Sequence, residues 1–169
     1  MTLTETPQAY TARILSNVGT QDPLAVLAST AARLRTLVAG RSLEDLSRTS
    51  DPGRWSVTQI LAHLADAEIV GAWRFRSVLA QDAVPLQAFD QNTWAETFRY
   101  QEVNPFDALQ LFEVIRGSTL TLLRRVDPAT HAHHGLHAER GKETIPHLIR
   151  LYAGHDLNHL AQVERLLIP

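Results

Sequence analysis

Two histidines four residues apart are the clearest sign of chemistry in this sequence. His155 and His159 lie in the stretch Y-A-G-H-D-L-N-H-L-A-Q-V, residues 152–163. Residues four apart on an α-helix lie one turn apart on the same side, so both imidazoles can reach one ion. The apolar stripe of this helix lies on the same side, which predicts that both histidines face the core. Its members are Ile145, Leu148, Ile149, Tyr152, Val163, Leu166 and Leu167.

Imidazoles in a core need polar partners, because an unpaired buried polar group costs on the order of 1–3 kcal/mol. A metal ion would supply a partner for both rings. Backbone carbonyls and nearby carboxylates are the alternative, and the residues alone leave both interpretations open. Asn158 and Gln162, on the same helix, are candidate hydrogen-bond partners for metal-bound imidazoles.

The histidine pair also resembles the H-E-x-x-H zinc helix of metalloproteases, with Asp156 in place of the glutamate. Aspartate is one methylene shorter than the general base of that motif. Proteases of this type usually take a third ligand from well downstream, whereas only ten residues follow His159. We therefore expect the third ligand to lie upstream.

Helix-start signals predict four long helices. Asp22-Pro23 and Asn104-Pro105 each give an N-cap followed by proline at the first helical position. Residues 56–59, S-V-T-Q, form a capping box, and Thr144 caps the last helix. No convincing strand pattern and no internal repeat is present. The sequence therefore indicates an all-α four-helix bundle.

The predicted helices run over about residues 22–40, 56–81 and 104–126, and from Thr144 onward. We expect a single domain over residues 1–169, in which residues 1–21 form a peripheral segment with a short helix from Gln8 to Val18. The long connection at residues 82–104 permits a crossover between helices two and three. Helices two and four can then lie side by side.

The second predicted helix adds two polar residues to the interior. His63 lies on the flank of its apolar stripe, where it can approach His155 and His159, and Glu68 lies in the middle of the stripe. A buried carboxylate without a partner is costly. Glu68 is therefore interpreted as an acceptor for a metal-bound imidazole, as a general base, or as the partner of Arg116 on the third helix.

Four more histidines lie between the third and fourth predicted helices, at positions 131, 133, 134 and 137. Their spacing is irregular, and Gly135 and Gly141 give the segment no fixed geometry. A solvated loop is therefore favoured over a defined metal site.

The composition is that of a soluble globular protein, with 44% hydrophobic and 20% charged residues. A net charge of −2 without a basic cluster argues against nucleic-acid binding. No apolar run reaches the ~18–20 residues that span a bilayer, and the N-terminal residues M-T-L-T-E-T-P do not resemble a secretory signal. We expect a cytoplasmic protein that binds neither nucleic acid nor membrane.

The residue types restrict the chemistry of any metal site. Because the chain has no cysteine, the ligands must be histidine or carboxylate, and any thiol must belong to a substrate. Three neutral imidazoles on two facing helices suit Zn²⁺, which would keep a fourth position open for chemistry. Ni²⁺ and Fe²⁺ also suit imidazole. A di-iron carboxylate site is disfavoured, because paired Glu-x-x-His motifs are absent.

Three motifs resemble the DinB/YfiT-like family of metalloenzymes. They are W-S-V-T-Q-I-L-A-H-L-A-D-A-E at residues 55–68, F-D-Q-N-T-W at 89–94 and H-D-L-N-H-L-A-Q-V at 155–163. The resemblance covers most of the chain from about residue 22 onward. It implies a DinB-like four-helix bundle, often a homodimer, with a three-histidine metal site. His63 matches the ligand of the first motif, and His155 and His159 match the pair on the last helix.

Residues and resemblance together predict a metal-dependent enzyme that acts on a small molecule. In a thiol S-transferase the nucleophile is a low-molecular-weight thiol, and in a hydrolase it is water, with Glu68 or Asp156 as proton acceptor. The resemblance favours the transferase slightly. The alternative is a non-catalytic metal-binding or stress-response interaction module. That alternative predicts a saturated site, for example with Asp66 or a histidine of the loop before the last helix as fourth ligand, and no pocket beside it.

Overall fold

The computed structural model of the protein describes residues 6–51 and 53–168. The four predicted long helices are present within a few residues of their predicted limits. Shorter helices precede and connect them, and a small sheet lies at one end. In chain order the elements are α1 (Pro7–Ser16), α2 (Pro23–Val38), α3 (Leu43–Ser47), α4 (Val57–Ala80), β1 (Val84–Leu86), α5 (Gln91–Thr97), α6 (Pro105–Arg125), β2 (His134–His137), β3 (Gly141–Thr144) and α7 (Ile145–Leu167).

The helix starts follow the predicted capping residues. Asp22, Ser56, Asn104 and Thr144 each accept a hydrogen bond from a backbone N–H in the first turn of their helix. In the capping box of α4, Ser56 Oγ accepts from the Gln59 amide at 3.3 Å, and Gln59 Oε1 accepts from the Ser56 amide at 3.0 Å. Such reciprocal bonds fix where a helix begins. They therefore also fix which residues of α4 face the interior.

The bundle consists of two pairs of parallel helices. One apolar cluster joins the N-terminal halves of α2 and α7 to the C-terminal halves of α4 and α6, and a second cluster joins the opposite halves. Helices α2 and α7 therefore run in one direction, and α4 and α6 run in the other. The predicted crossover is confirmed, since the segment between α4 and α6 returns the chain to the starting end. The predicted pairing of helices two and four is also confirmed, as α4 and α7 are antiparallel neighbours.

Two glycines allow close approach around α7. A Cβ at Gly71 of α4 would lie 2.5 Å from the ring of Tyr152, and one at Gly154 would lie 2.0 Å from the carbonyl oxygen of Ile14. Both distances are below any van der Waals contact. At Gly154 the contact is with backbone, so only glycine fits there, whereas a side chain at Gly71 would have to displace the Tyr152 ring. The α1 segment, which we expected to be peripheral, thus packs tightly on α7, with Ile14 fully buried.

The expectation that the chain contains no strands is wrong. Strands β2 and β3 form an antiparallel hairpin, and β1 pairs with β2 in parallel, across about fifty residues of sequence. Each strand has only three or four residues, too few to show an alternating pattern. Gly141, with φ of 78°, adopts the left-handed conformation at the hairpin turn. The histidines at 134 and 137 therefore have fixed positions rather than lying in a loop.

Within residues 6–51 and 53–168, no helix has the length and apolar character that would let it cross a membrane.

Candidate metal centre

Three imidazoles from two helices meet inside the bundle. His63 comes from α4, and His155 and His159 come from α7. His155 Nε2 lies 3.0 Å from His63 Nε2 and 3.1 Å from His159 Nε2. One ring nitrogen from each histidine lies within 4.8 Å of the other two. Three nitrogens bound to one Zn²⁺ at about 2.0–2.1 Å in tetrahedral geometry are about 3.3 Å apart. The two separations that involve His155 are therefore close to those of a three-nitrogen zinc site.

The hydrogen bond of His159 fixes which of its nitrogens carries the proton. The Oε1 atom of Gln162 can only accept, so His159 Nδ1 donates to it, at 2.8 Å. The Nε2 atom of neutral His159 then presents a lone pair to the centre. This is the arrangement typical of metal-bound histidine, whose outer nitrogen donates to a protein acceptor. The contact predicted for Gln162 is present, whereas Asn158 accepts from Arg13 instead.

Hydrogen bonds among the three rings cannot satisfy all three inner nitrogens. If His155 Nε2 carries a proton, it can give that proton fully to only one of its two neighbours. If it carries a lone pair, that lone pair faces the lone pair of His159 at 3.1 Å. In both cases, one of the two facing nitrogen pairs is left without a hydrogen bond. A bound cation would instead accept the lone pair of all three nitrogens. The donor set therefore fits a metal ion better than it fits a structural hydrogen-bond network.

Burial keeps the three rings neutral. Desolvation is the main cause that lowers the pKa of each histidine, and it places the pKa of His159 at about 4 despite the opposing bond to Gln162. His63 and His159 are almost fully buried, whereas His155 is partly exposed. Only neutral imidazole binds a metal, so all three rings are in the protonation state that metal binding requires at neutral pH.

We expect the metal-free protein to lose stability as the pH falls below about 6.5, the pKa of an exposed histidine. The three folded-state pKa values lie below that value, so the unfolded chain takes up protons first. The free energy of unfolding should fall by about 1.4 kcal/mol per pH unit for each histidine that stays neutral in the folded protein. For His159 this fall continues until the pH reaches its pKa of about 4. Thermal unfolding of chelator-treated protein between about pH 7 and pH 5 measures it. The variant His159→Gln should show a shallower slope, and a melting temperature independent of pH would contradict the expectation.

A buried ion cluster lies beside the histidines and contains both predicted carboxylates. Arg116 donates from Nη1 to Asp156 Oδ2 at 2.6 Å, from Nη2 to Asp156 Oδ1 at 3.1 Å, and from Nη2 to Glu68 Oε2 at 2.7 Å. Burial raises the pKa of Glu68, and the charge of Arg116 opposes that rise. The pairing of Glu68 with Arg116, one of three predicted alternatives, is thus confirmed. A general-base role for Glu68 or Asp156 stays a prediction.

Two cavities border the histidine cluster. The smaller, of about 290 Å³, is lined in part by His63, His155, Tyr152 and Arg74. The larger, of about 680 Å³, is lined in part by His159 and Gln162. Neither Glu68 nor Asp156 lines either cavity. A small molecule can therefore reach the histidines from two directions, but not these two carboxylates.

No fourth ligand completes the cluster within the described part of the chain. The only group of three or more potential metal ligands found there is His63, His155 and His159. Asp66, the suggested fourth ligand of a saturated site, accepts a hydrogen bond from the Tyr100 hydroxyl at 2.6 Å. The histidines between α6 and α7 form no second cluster among the described residues. The candidate ligand set among the described residues therefore consists of these three histidines alone.

Two further residues belong to the site and were not predicted from the sequence. Trp55, which directly precedes the capping box of α4, packs its ring against His63 with 5.0 Å between centroids. Arg74 lies buried on α4 and lines the smaller cavity. The position of Arg74 beside the apolar stripe of α4 could have indicated that it is buried. The position of Arg116 within the third helix gave a similar indication.

We expect that replacing Gln162 with leucine lowers the affinity for zinc by about 10–100-fold, the usual effect of removing a partner of a metal-bound imidazole. The leucine cannot accept the His159 Nδ1 proton, so the ring loses its fixed orientation. Competition with a chromogenic chelator measures the affinity. The variant Asn158→Leu, one turn away on α7, is the control and should bind zinc as the wild type does. Unchanged affinity in Gln162→Leu would contradict the expectation.

Comparison with known proteins gives concordant results. Residues 27–163 match the sequence model of the DinB superfamily. The chain is 30% identical over 135 residues to a "Putative metal-dependent hydrolase" of Geobacillus thermodenitrificans, covering 79% of this chain and 75% of that protein. It is 28% identical over 134 residues to another of Oceanobacillus iheyensis, covering 79% and 77%. It is 26% identical over 143 residues to "Putative metal-dependent hydrolase YfiT" of Bacillus subtilis, covering 83% and 80%.

The fold also matches a solved structure. The structure of YfiT from Bacillus subtilis superimposes with a TM-score of 0.79 at 24% sequence identity, and the match covers 85% of this chain and 83% of that one. That protein is described as having an unusual four-helix bundle topology. The DinB-like bundle predicted from the sequence is therefore confirmed.

Proposed function

This chain belongs to the DinB superfamily, and we propose that it is a metal-dependent hydrolase of a small molecule, with His63, His155 and His159 as ligands of one divalent ion. The observation that carries the proposal is the meeting of three neutral imidazoles at the border of two cavities. A purely structural cluster would need neither cavity. The names of the relatives supply the reaction class.

The chemistry of the donor set favours zinc among divalent ions. Three neutral nitrogens and one open position are the usual set of a catalytic zinc site, although Ni²⁺ and Fe²⁺ also accept imidazole. When bound there, the ion would supply a Lewis acid that polarises a carbonyl or phosphoryl group and makes water a better nucleophile.

The surrounding residues hold this site in place. Gln162 orients His159 through its Nδ1 proton, and Trp55 packs against the His63 ring. Arg116 of α6 joins Glu68 of α4 to Asp156 of α7, so it ties together the two helices that carry the ligands. Both oxygens of Asp156 are bonded to Arg116, which leaves Asp156 poorly suited to accept a proton. Glu68 keeps one oxygen outside the pair, which makes it the better candidate of the two, but it lines neither cavity, so a proton would have to reach it indirectly.

The thiol S-transferase favoured slightly by the sequence resemblance would use the same ion with a different nucleophile. The relatives' names support hydrolysis, and no residue of either cavity favours a thiol. The non-catalytic alternative expects a saturated site without a pocket, whereas the described residues give three ligands and two cavities. The homodimer implied by the resemblance stays a prediction.

Metal-dependent turnover tests the proposal. Zinc-loaded protein would be assayed with 4-nitrophenyl esters, phosphoesters and anilides, each with and without added low-molecular-weight thiol. We expect hydrolysis of at least one class, loss of turnover after chelation, and recovery when zinc is returned. The variant His155→Ala should remain inactive after zinc is returned.

Two results would contradict hydrolysis. One is turnover that appears only with thiol and yields the thiol adduct, which would favour the transferase. The other is an absence of metal-dependent turnover across all three substrate classes, which would favour a binding module.

A further inference from the structure

Arg74 is a buried cation without a carboxylate partner. Only 4% of its surface is exposed, yet it lines the cavity of about 290 Å³ that also contains His63 and His155. Within residues 6–51 and 53–168 no aspartate or glutamate forms a salt bridge with it. A buried charge normally has a counter-charge, because removing it from water is costly. No carboxylate of the described residues therefore contacts Arg74 directly.

Two other arginines near this site, the buried Arg116 and the partly exposed Arg140, illustrate the contrast. Arg116 contacts the carboxylates of Glu68 and Asp156. Arg140, which lines the same cavity as Arg74, is paired with Glu143 through Nε at 2.6 Å and Nη2 at 3.2 Å. Their positive charges are thus compensated within the protein. Of the two arginines in this cavity, only Arg74 can offer its full charge to a ligand.

Hydrogen bonds leave part of the Arg74 guanidinium unused. Its Nη2 atom donates to the carbonyl oxygen of Gln87 at 2.6 Å, while its buried Nε has no partner among the described residues. Nη2 also lies 3.3 Å from His137 Nε2. His137 Nδ1 accepts from the amides of Glu139 and Arg140, so in the neutral ring the proton is on Nε2. Arg74 and His137 therefore present donors to each other. The Tyr152 hydroxyl also interacts with Arg74 by a hydrogen bond, but a phenol oxygen carries no negative charge, so the charge of the guanidinium and its Nε donor stay uncompensated.

The position of Arg74 relative to the histidines suggests what compensates its charge. Arg74 follows His63 by eleven residues on α4, an axial rise of about 16 Å, and helical side chains point back toward the N-terminus. Ala67 of α4 and Tyr152 of α7 line the cavity together with both residues. A single small molecule in this cavity can therefore lie between the metal centre and the guanidinium.

We propose that Arg74 binds an oxyanion, a carboxylate or phosphate, at the far end of the small molecule whose reacting bond lies at the three-histidine centre. This inference rests on the proposed hydrolase function for the reacting bond, but the anion site itself does not need the metal. It restricts the substrate class to anionic molecules. Arginine suits this role because its planar fork matches both oxyanions.

Direct anion binding tests the site without any assumption about turnover. Metal-free protein would be titrated with glutarate and, separately, with inorganic phosphate by isothermal calorimetry. We expect saturable binding of at least one, and the preferred anion identifies the group. Arg74→Gln should weaken that binding by about 10–100-fold, as expected for the loss of a charged hydrogen-bonding partner. Arg76→Gln removes the same charge from the exposed side of α4 and should have no effect.

Arg74→Lys covers the case in which Arg74→Gln does not fold. Lysine keeps the charge but loses the fork, so we expect weakened binding and a folded chain. No saturable binding of either anion to the wild type would overturn the inference. Equal binding by the wild type and a folded Arg74 variant would overturn it as well.

Substrate preference separates this inference from the hydrolase proposal. The ratio of kcat/KM for mono-4-nitrophenyl glutarate to that for neutral 4-nitrophenyl butyrate should fall about 10–100-fold in Arg74→Gln and stay constant in Arg76→Gln. Anion binding at Arg74 without metal-dependent turnover would count against the hydrolase alone. Metal-dependent turnover with an unchanged ratio in Arg74→Gln would count against the anion site alone.

Discussion

Replacing His155 with alanine should remove the bound divalent ion and leave the bundle folded. Its Nε2 atom lies 3.0–3.1 Å from those of His63 and His159, so it is the nitrogen that both others share. Losing one of three ligands should weaken zinc binding by well over the ~10–100-fold caused by losing an outer partner. The side chain is partly exposed at the cavity of His63, where water can fill the space left by truncation.

Elemental analysis after gel filtration measures the metal content of His155→Ala, and circular dichroism measures its melting curve. The matched control is His147→Ala, which removes a partly exposed histidine from the same helix, α7, outside the cluster. We expect the wild type and the control to retain about one zinc per chain, as a single three-ligand site requires. A full complement of zinc in His155→Ala would contradict the assignment of this ligand.

Replacing Arg116 with methionine should destabilise the protein more than any surface change. The guanidinium compensates two carboxylates that are themselves almost fully buried, Glu68 and Asp156. Removing one partner of a buried ion pair typically costs about 3–5 kcal/mol, because the remaining charge stays buried without a counter-charge. The loss should shrink as the pH falls, since protonated carboxylates need no cation. Urea unfolding followed by circular dichroism measures the free energy of unfolding.

The exposed pair of Arg35 and Glu113 provides the comparison. Arg35→Met should change the free energy of unfolding by only about 0–1 kcal/mol, as is usual for surface ion pairs. The triple variant Arg116→Met, Glu68→Gln, Asp156→Asn removes all three charges and should recover part of the stability. A loss in Arg116→Met as small as that in Arg35→Met would show that the cluster does not stabilise the fold.

The main features of the site could be predicted because local rules determine them. Spacing of four residues places His155 and His159 on one face of a helix, and the capping box at Ser56 fixes the phase of α4 that turns His63 inward. The segment after α4 is long enough for a crossover connection, which was therefore the simplest arrangement to predict. A crossover also brings α4 and α7 into contact. Apart from the packing of the four apolar helix faces, none of these predictions depends on contacts between residues far apart in sequence.

The features that were missed depend on contacts between distant parts of the chain. The pairing of β1 with β2 joins residues about fifty apart, and Gly135 fits against Leu86 only because it has no side chain. The position of the β2–β3 hairpin determines which arginine of the cavity has a carboxylate partner. Arg140 has one and Arg74 has none. A helical pattern marks a residue as buried, but it does not reveal which charges lie around it.

In the proposed site, three imidazoles hold one divalent ion and leave one position open. X-ray absorption at the zinc edge of the zinc-loaded protein measures this coordination. We expect three imidazole nitrogens at about 2.0–2.1 Å and a further light-atom ligand from solvent, with the imidazole signal diminished in any zinc that His155→Ala retains. A spectrum with four protein ligands, or with zinc bound mainly by oxygen at other sites, would show that the three histidines do not form an open zinc site.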